Sequence, residues 1–421
     1  MTTLLETSRA ALSAKEWRVL SLLVISGFLN YVDRANLSVG ATNIQAELHL
    51  GDYHLGMLLS AFFWTYATFQ LFGIAGWLVD RFNVCLVLAT GFFLWSGATA
   101  VTGAAHVFWV MFALRLVLGM GESVAYPSYS RILANNFPEH HRGFANALID
   151  AGTKGGPALG TLLGGLLMAR FGWRAFFLAL GFGSLLWLVP WFWWMPRGRG
   201  VAAREHHGEV PSVAAILQHR EAWFTALGLF CSNYFWYFLI TWLPPYLEKE
   251  RHFPKDKMAV TGSSAFLAIS ISAVISGWVS DRLIARGGTP TRVRRMFAGT
   301  GLVLSTIILP VCVVESERAA MGLLILACLS YGLYSSQVFA ITQTLAGPRA
   351  AGKWTGLQNG FANLAGVVAP WLTGWVVQQT GQFYWAFVVA AAIVLASAAM
   401  FVFGIGRIEQ VQFGRPAHGL Q

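Results

Sequence analysis

Charged side chains are scarce in this sequence, since Asp, Glu, Lys and Arg make up only 11% of its residues. A soluble domain carries about 25% charged residues, so this shortage argues against a water-soluble protein. The sequence instead contains continuous apolar runs, which are typical of transmembrane helices rather than barrel strands. We identify twelve such runs, at 17–40, 54–79, 84–104, 107–133, 143–168, 173–194, 222–246, 259–285, 294–314, 319–346, 353–379 and 383–407.

Patterns for metal binding and nucleotide hydrolysis are also missing. None of the ten histidines lies in the middle of an apolar run, and neither a His-Glu-x-x-His motif nor a Walker A motif occurs. The cysteines form no Cys-x-x-Cys pair and lie in apolar runs, so we interpret them as core residues: Cys85, Cys231, Cys312 and Cys328. We therefore expect no cofactor, no bound metal and no enzymatic activity.

The net charge of +10 reflects membrane topology rather than nucleic-acid binding. If the N-terminus is inside the cell, nineteen of the twenty-nine Lys and Arg residues lie in cytoplasmic segments and seven lie in outside segments. This bias follows the positive-inside rule. It predicts twelve transmembrane helices with both termini in the cytoplasm.

One short pattern occurs twice, about half the chain length apart. The stretch GWLVDRF (76–82) is matched by GWVSDRL (277–283), and each copy ends the second apolar run of its half. We therefore predict two six-helix bundles, 1–196 and 221–421, with a basic cytoplasmic linker containing Gly and Pro at 197–220. Such parallel repeats are typical of transporters that rock around a site near the bilayer midplane.

The repeat resembles the major facilitator superfamily, which has Gly-x-x-x-Asp-Arg after its second and eighth helices. Three further stretches are similar to the anion:cation symporter branch of that family: NYVDRANLSVG, RLVLGMGESVAYPS and NYFWYFLITWLPPYL. This branch holds bacterial sugar-acid permeases and animal organic-anion carriers. The resemblance implies the major facilitator fold, a small organic anion as substrate, and a location in the cell membrane, here a bacterial inner membrane.

Charged residues inside the apolar runs of the first half are the strongest functional signal. They are Asp33, Arg34, Arg115, Glu122, Asp150 and Lys154. A charge at the bilayer centre costs about 2.5–3.5 kcal/mol on insertion scales, so these groups must face a polar cavity or one another. Helix rise places Asp33 and Glu122 at similar depths, and Asp150 precedes Lys154 at the spacing of a local ion pair.

Proton coupling needs carboxylates that gain and lose a proton in a partly dry site. In the sequence, Arg34 follows Asp33 directly and Arg115 precedes Glu122 by two helical turns, so a bound anion would change the electric field at both acids. The resemblance implies proton coupling at Asp33 and Glu122. It also implies substrate binding at Arg34, whose planar guanidinium fits a carboxylate. The alternative is a structural cluster of ion pairs, which Arg115 and Asp150 would support in either case.

Neutral polar residues complete the predicted substrate site. The resemblance places Tyr31 and Tyr66 in it, and Thr153 stands where sugar-acid relatives often carry glutamine. Lys154 either adds a second cation or only neutralises Asp150. Amides and hydroxyls of the second half can bind sugar hydroxyls or join helices: Asn233, Tyr234, Tyr237, Ser336, Gln337, Gln358, Asn359 and Asn363.

The two repeated motifs are predicted to act as gates. An aspartate at a helix end can pair with an arginine or a helix N-terminus in one conformation and release it in another, although simple anchoring of a loop is the alternative. The residues concerned are Gly76, Asp80, Arg81, Gly277, Asp281 and Arg282.

These observations lead us to expect proton-coupled uptake of an organic anion by alternating access. The anion is a sugar acid or an aromatic or other carboxylate, and protons and the lipid bilayer are the other partners of a monomeric protein. Anion exchange or facilitated transport without proton flow is an alternative. A transporter-like membrane sensor is a more distant one.

Overall fold

A computed structural model describes residues 12–137, 139–195 and 211–413. All regular structure in these ranges is helical, which confirms the all-α fold class. The predicted linker at 197–220 lies largely outside the described residues. Its described part contains a short helix, Val213–Leu217, close to the surface helix that the sequence favours.

The helices up to residue 195 are α1 (Ala14–Val39), α2 (Ala41–Glu47), α3 (Asp52–Leu71), α4 (Ile74–Arg81), α5 (Val84–Thr102), α6 (Phe108–Ser123), α7 (Ala125–Asn136), α8 (Glu139–Leu185) and α9 (Leu188–Trp194). From residue 211 they are α10 (Val213–Leu217), α11 (Arg220–Lys249), α12 (Lys255–Ala285), α13 (Pro290–Ser305), α14 (Glu317–Ser335), α15 (Gln337–Ala362), α16 (Ala365–Thr380) and α17 (Phe383–Ala399). A 3₁₀ helix, Thr306–Cys312, follows α13, and a π-helical turn, Met400–Gly404, follows α17.

Polar residues immediately before apolar runs fix where several helices begin. Ser13 and Glu16 form a reciprocal capping box at the start of α1, in which each side chain accepts a hydrogen bond from the other residue's backbone N–H. Asn83 caps α5 by accepting from the N–H of Cys85 at 2.9 Å. These side chains satisfy backbone donors that have no partner within the helix.

One turn residue, Val124, interrupts the helical segment that carries Glu122. The sequence predicts one apolar run at 107–133, and the structure has one candidate span at Phe108–Leu133, in which α6 ends at Ser123 and α7 begins at Ala125. Pro127 explains the break, because proline has no N–H to donate to the carbonyl of Ser123. The side chain of Gln70 on α3 donates to that carbonyl at 2.8 Å instead. Glu122 therefore lies at a helix end that a neighbouring helix stabilises.

Length and composition support a protein that crosses the membrane several times. In the described ranges, nine helical segments can span a bilayer, or ten if α3 and α4 count as one span bent by 61° at Gly73. The polar residues of α1 lower its hydropathy, so α1 is not among the nine, and Ala151–Trp194 counts once although Gly172 interrupts it. Large apolar side chains such as Phe72 and Phe403 are exposed, as lipid contact requires. Twelve spans and cytoplasmic termini stay predictions.

The chain separates into two compact units by its internal contacts. The first comprises Met1–Glu205 and Leu243–Ser263, and the second comprises His206–Trp242 and Ser264–Gln421. In the first unit α1 packs along α8, and α6 packs between α3 and α5. In the second unit α13 packs against α14 and α17. The predicted limits of 1–196 and 221–421 stay a prediction, and residues 243–263 belong by contact to the first unit.

Close packing of α1 on α8 positions one of the predicted site residues. A Cβ atom added to Gly156 on α8 would come within 2.5 Å of the Cβ of Tyr31 on α1. Only glycine at this position allows the two backbones to approach so closely. The glycine-rich stretch of α8 therefore fixes where Tyr31 lies.

Candidate functional site

A buried ion pair joins α1 to α6 in the first unit. Nε of Arg34 donates to Oε2 of Glu122 at 2.9 Å. The sequence places Arg34 next to Asp33 and offers Arg115 as the cation nearest to Glu122, but the structure pairs Arg34 with Glu122. Successive residues on a helix point about 100° apart, so Asp33 and Arg34 face different neighbours.

Aromatic rings surround the Arg34 guanidinium. Its central carbon lies 4.6 Å from the ring centroid of Tyr31, 4.6 Å from that of Tyr66 and 4.9 Å from that of Phe62. Phe62 and Tyr66 are one turn apart on α3 and stack at 5.3 Å. Cation–π contacts of this kind contribute about 0.5–2 kcal/mol each. The structure thus brings Tyr31 and Tyr66 to Arg34, together with Phe62, which sequence reasoning missed.

The second acid of this unit, Asp33, is held by a hydroxyl. Thr99 on α5 donates to Oδ1 of Asp33 at 3.0 Å. Its other carboxylate oxygen, Oδ2, has no hydrogen-bond partner among the residues described. Glu122 and Arg115 both act on Asp33 through their charges. Thr99 was not singled out in the sequence, because one hydroxyl in an apolar run is usually a helix-packing residue.

Four charged groups therefore form one buried cluster. Asp33 is 2% exposed, Arg34 5%, Arg115 3% and Glu122 0%. The guanidinium carbon of Arg115 lies 5.5 Å from the ring centroid of Phe62, beside the same aromatic group that contacts Arg34. Two acids and two bases give the cluster a formal charge of zero. Mutual compensation of this kind makes charges tolerable inside a membrane.

Two asparagines of α1 lie against the acids. Asn30 lies beside Glu122, and Asn36 lies beside Asp33. Both amides are almost completely buried, and in the described part of the chain neither amide makes a hydrogen bond of normal geometry. A polar residue in an apolar run was the only sequence signal for them.

The remaining first-half candidates lie on α8. Thr153 is buried, and a Cβ added to Gly27 of α1 would lie 3.2 Å from its methyl group, so it packs at the α1–α8 contact. Asp150 and Lys154 have helical backbones in α8. Their side chains lie outside what the structure describes, so their predicted pairing stays a prediction.

In the second unit, a series of hydrogen bonds between polar residues links α11 to α15. The hydroxyl of Tyr237 donates to Oδ1 of Asn363 at 2.5 Å. The amide nitrogen of Asn363 donates to the backbone carbonyl of Asn359 at 2.9 Å. These bonds connect neighbouring helices, and a ligand that used them would have to share or replace them.

Gln358 forms a second polar link in that unit. Its Oε1 accepts from Thr342 at 2.5 Å, and its Nε2 donates to the backbone carbonyl of Thr225 at 3.2 Å. Tyr234 is buried beside Thr373. In contrast to the first cluster, these candidates are neutral.

The two repeated motifs lie at helix ends, as the sequence predicts, but their contacts differ. Asp80 in the last turns of α4 accepts a hydrogen bond from Arg131 on α7, and Arg81 ends the helix. A Cβ on Gly76 would meet nothing within 4 Å. The first motif therefore links α4 to α7 through one exposed ion pair.

The second motif lies near the end of α12. Asp281 is exposed and acts through its charge on Arg294 of α13. The guanidinium of Arg282 lies 4.7 Å from the ring of Trp278. A Cβ on Gly277 would lie 3.5 Å from Ser336, which is ordinary van der Waals contact.

Ion pairs at the end of α11 hold residues 243–263 in the first unit. Lys255 contacts Glu248 at 3.0 Å and donates to the hydroxyl of Thr42 on α2 at 3.3 Å. Lys249 pairs with Asp52 at the start of α3.

The family assignment follows from a match over most of the chain. Residues 23–370 match the family model of the Major Facilitator Superfamily. The chain belongs to this superfamily. Its members are transporters and not enzymes, which confirms the expectation of a non-enzyme and of a multi-pass cell-membrane protein.

Two relatives and one solved structure show the extent of the similarity. The chain is 27% identical to a probable galactarate/D-glucarate transporter of Bacillus subtilis, over 94% of this chain and 93% of the relative. It is 29% identical to a hexuronate transporter of the same organism, over 95% and 96%. A bacterial homologue of the human lysosomal transporter Spinster, in an inward-facing and occupied conformation, superimposes with a TM-score of 0.80 at 18% identity, over 94% of this chain and 97% of that one. That likeness shows the fold alone.

Proposed function

We propose that this protein imports an organic anion together with protons by alternating access. The observation that carries the proposal is the buried Arg34–Glu122 pair, in which aromatic rings surround the guanidinium of Arg34. A structural ion pair does not need surrounding aromatic rings, whereas a site for a carboxylate needs a desolvated guanidinium held in a fixed orientation. The names of the relatives support a sugar acid as the anion.

Competition for Arg34 would couple the proton to the anion. Glu122 holds the guanidinium while the carboxylate is ionised. A proton on Glu122 removes its charge and weakens that bond, so that the carboxylate of the substrate can take its place. The bound anion then restores the charge balance of the cluster. Release of the anion to the cell favours loss of the proton and re-formation of the pair.

Asp33 would carry a second proton in the same cluster. It lies in the field of both Glu122 and Arg115, so a change in the charge of Glu122 changes the proton affinity of Asp33. Arg115 keeps the cluster close to neutral when Arg34 is engaged with substrate. Thr99 keeps the Asp33 carboxylate in one orientation.

Neutral groups would recognise the rest of the sugar acid. Tyr31, Tyr66, Thr153 and Lys154 are the candidates in the first unit, and Tyr234, Gln358, Asn359 and Asn363 are those in the second. The Tyr237–Asn363 and Thr342–Gln358 bonds are short polar contacts of the kind that sugar hydroxyls can exchange with.

Alternation would break and re-form the charged contacts at helix ends. The Asp80–Arg131 pair of the first unit and the charges around Asp281 in the second are the candidate gates. The contacts of Lys255 with Glu248 and of Lys249 with Asp52, within the first unit, are further candidates. The Asp80–Arg131 pair is exposed, so breaking it costs little, about 0–1 kcal/mol.

Uptake into proteoliposomes tests this function. With an inward proton gradient, purified protein is expected to accumulate labelled D-glucarate or D-glucuronate above the external concentration. Asp33→Asn and Glu122→Gln abolish accumulation, because the amides cannot carry the proton, but they retain exchange of internal for external anion. Asp256→Asn, which changes an exposed acid at the start of α12, is the matched control and accumulates normally.

Two results would contradict the proposal. Accumulation by the carboxamide variants at the wild-type level would remove the proton role of the two acids. Uptake that does not depend on the proton gradient would instead indicate the alternative, an exchanger or facilitator.

A further inference from the structure

We infer that Asn30 and Asn36 are positioning residues for the two acids, each holding its neighbouring carboxyl group in both the protonated and the ionised state. This inference rests on the proposed function, since it assumes that Asp33 and Glu122 exchange protons. It adds two residues that neither touch the anion nor carry the proton.

Both amides are buried with incomplete hydrogen bonding. Asn30 is 1% exposed and Asn36 is 0% exposed. Within residues 12–137, 139–195 and 211–413, neither the nitrogen nor the oxygen of either amide makes a hydrogen bond of normal geometry. An amide buried in this way is unfavourable, and native structures rarely retain one without a reason.

Each of the two amides lies next to one acid. Asn30 lies three residues before Asp33 and Asn36 three residues after it, and this spacing places the three on neighbouring positions of one side of α1. Asn30 lies beside the carboxyl group of Glu122, and Asn36 beside that of Asp33. Each acid of the cluster therefore has one buried amide within reach of its carboxyl group.

The chemistry of an amide suits both states of a carboxyl group. An ionised carboxylate only accepts hydrogen bonds, whereas a protonated carboxyl group also donates one. Asparagine carries both a donor NH₂ group and an acceptor oxygen, so it can serve either state by turning over about its last torsion.

The charged surroundings of both acids are unchanged when an asparagine is replaced by a neutral residue. On α8 the side chains of Asp150 and Lys154 lie outside the described part. The other titratable or charged groups that face Asp33 or Glu122 are, besides the two acids themselves, Arg34, Arg115 and Tyr129. A shift in pH dependence after such a replacement therefore reports the lost amide.

The experiment compares two leucine variants with a matched control. Asn36→Leu and Asn30→Leu remove the amides at nearly constant volume. Thr161→Val removes a hydroxyl on α8 that is also fully buried and also without a hydrogen-bond partner in the described residues, but that is not adjacent to either acid in the contacts given above. Initial uptake of labelled D-glucarate is measured from about pH 5 to about pH 9.

We expect the pH midpoint of uptake to move upward by about one unit in each leucine variant, because the ionised carboxylate loses the N–H group of the amide that lies beside it. Thr161→Val keeps the wild-type midpoint. The unfolding temperature of the leucine variants in detergent is expected to be equal to or above that of the wild type, since a buried amide that makes no hydrogen bond of normal geometry has been replaced by an apolar group. Asn36→Ser, whose hydroxyl donates and accepts, restores part of the wild-type pH profile.

A merely structural role gives the opposite pattern, in which the unfolding temperature falls and the pH profile stays in place; that result overturns the inference. If leucine is not accommodated, Asn36→Ala and Asn30→Ala carry the same comparison, and an unchanged midpoint in folded alanine variants overturns it equally. Uptake by the wild type that does not depend on pH overturns the proposed function and the inference together. Wild-type pH dependence with unshifted variants overturns the inference alone.

Discussion

The two units of this transporter use different kinds of polar group in their apolar interiors. The first buries Asp33, Arg34, Arg115 and Glu122 as a cluster of zero formal charge. The candidate substrate-binding residues of the second unit are neutral, and its Tyr237–Asn363 contact is a completed hydrogen bond. The repeated Asp-Arg motif shows that the halves have a common pattern, yet their interiors have different chemistry.

This difference separates two tasks. A charged cluster responds to a proton or an anion, because a change at one member alters the energy of every other member in a medium of low dielectric constant. Neutral hydrogen-bonded groups respond weakly to pH but can discriminate between hydroxyl patterns. We therefore expect ion coupling to depend on the first unit and substrate discrimination to depend more on the second.

The largest expected effect comes from breaking the buried ion pair. Arg34→Ala leaves Glu122 buried without its cation, which typically costs about 3–5 kcal/mol, and it removes the proposed anion ligand. We expect a large fall in thermal stability and loss of uptake. The double variant Arg34→Met with Glu122→Leu recovers stability but not uptake, as measured by unfolding in detergent and by flux in proteoliposomes.

The control for Arg34→Ala is a substitution of Arg318, an exposed arginine of the second unit. Arg318→Ala is expected to leave both stability and uptake unchanged. An Arg34→Ala protein that transports normally would remove the distinction between the two interiors.

An intermediate effect is expected when the hydrogen bonds between neutral residues of the second unit are disrupted. Asn363→Leu removes the acceptor of Tyr237 and is expected to raise the KM for D-glucarate about threefold to tenfold, the range of one or two neutral hydrogen bonds. The pH midpoint stays that of the wild type. Measuring KM across pH checks both points, and a shifted midpoint would show that the second unit also takes part in proton coupling.

The smallest effect is expected at an ion pair near the end of α2, outside the apolar spans. Hydrogen bonds from Arg174 and Trp173 hold the pKa of Glu47 below its ordinary value of 4.5. A depressed folded-state pKa gives stability that is present above 4.5 and lost as the pH falls through the folded-state value. The unfolding temperature of the wild type should therefore fall slightly more than that of Glu47→Gln in this acidic window, because Glu47 is largely exposed and screened. Identical acid profiles would contradict the prediction.

The sequence was sufficient for the helical fold and for the identity of the buried charges. Asp33, Arg34 and Glu122 stand out because a charge in an apolar run is costly. Their pairing could not be obtained in the same way. Arg34 is adjacent to Asp33 along the chain, but it bonds to Glu122 on another helix, and the relative positions of helices are not encoded in the spacing of one helix.

Uncharged members of the site were harder to find for a related reason. Phe62 is one of many aromatic residues in apolar runs, and only its position one turn before Tyr66 sets it apart. Thr99, Asn30 and Asn36 resemble the short polar residues that commonly join membrane helices. Their importance depends on which carboxyl group lies opposite them, and that is a property of the folded chain.

Direct recording of proton movement tests the central claim, that the charged cluster of the first unit ties anion entry to proton entry. Proteoliposomes in a weakly buffered medium receive D-glucarate while an external electrode records pH. We predict that the medium becomes more alkaline as the anion enters through the wild-type protein, and that Glu122→Gln gives no such change. Anion entry with a constant external pH, or equal alkalinisation by Glu122→Gln, would contradict the account.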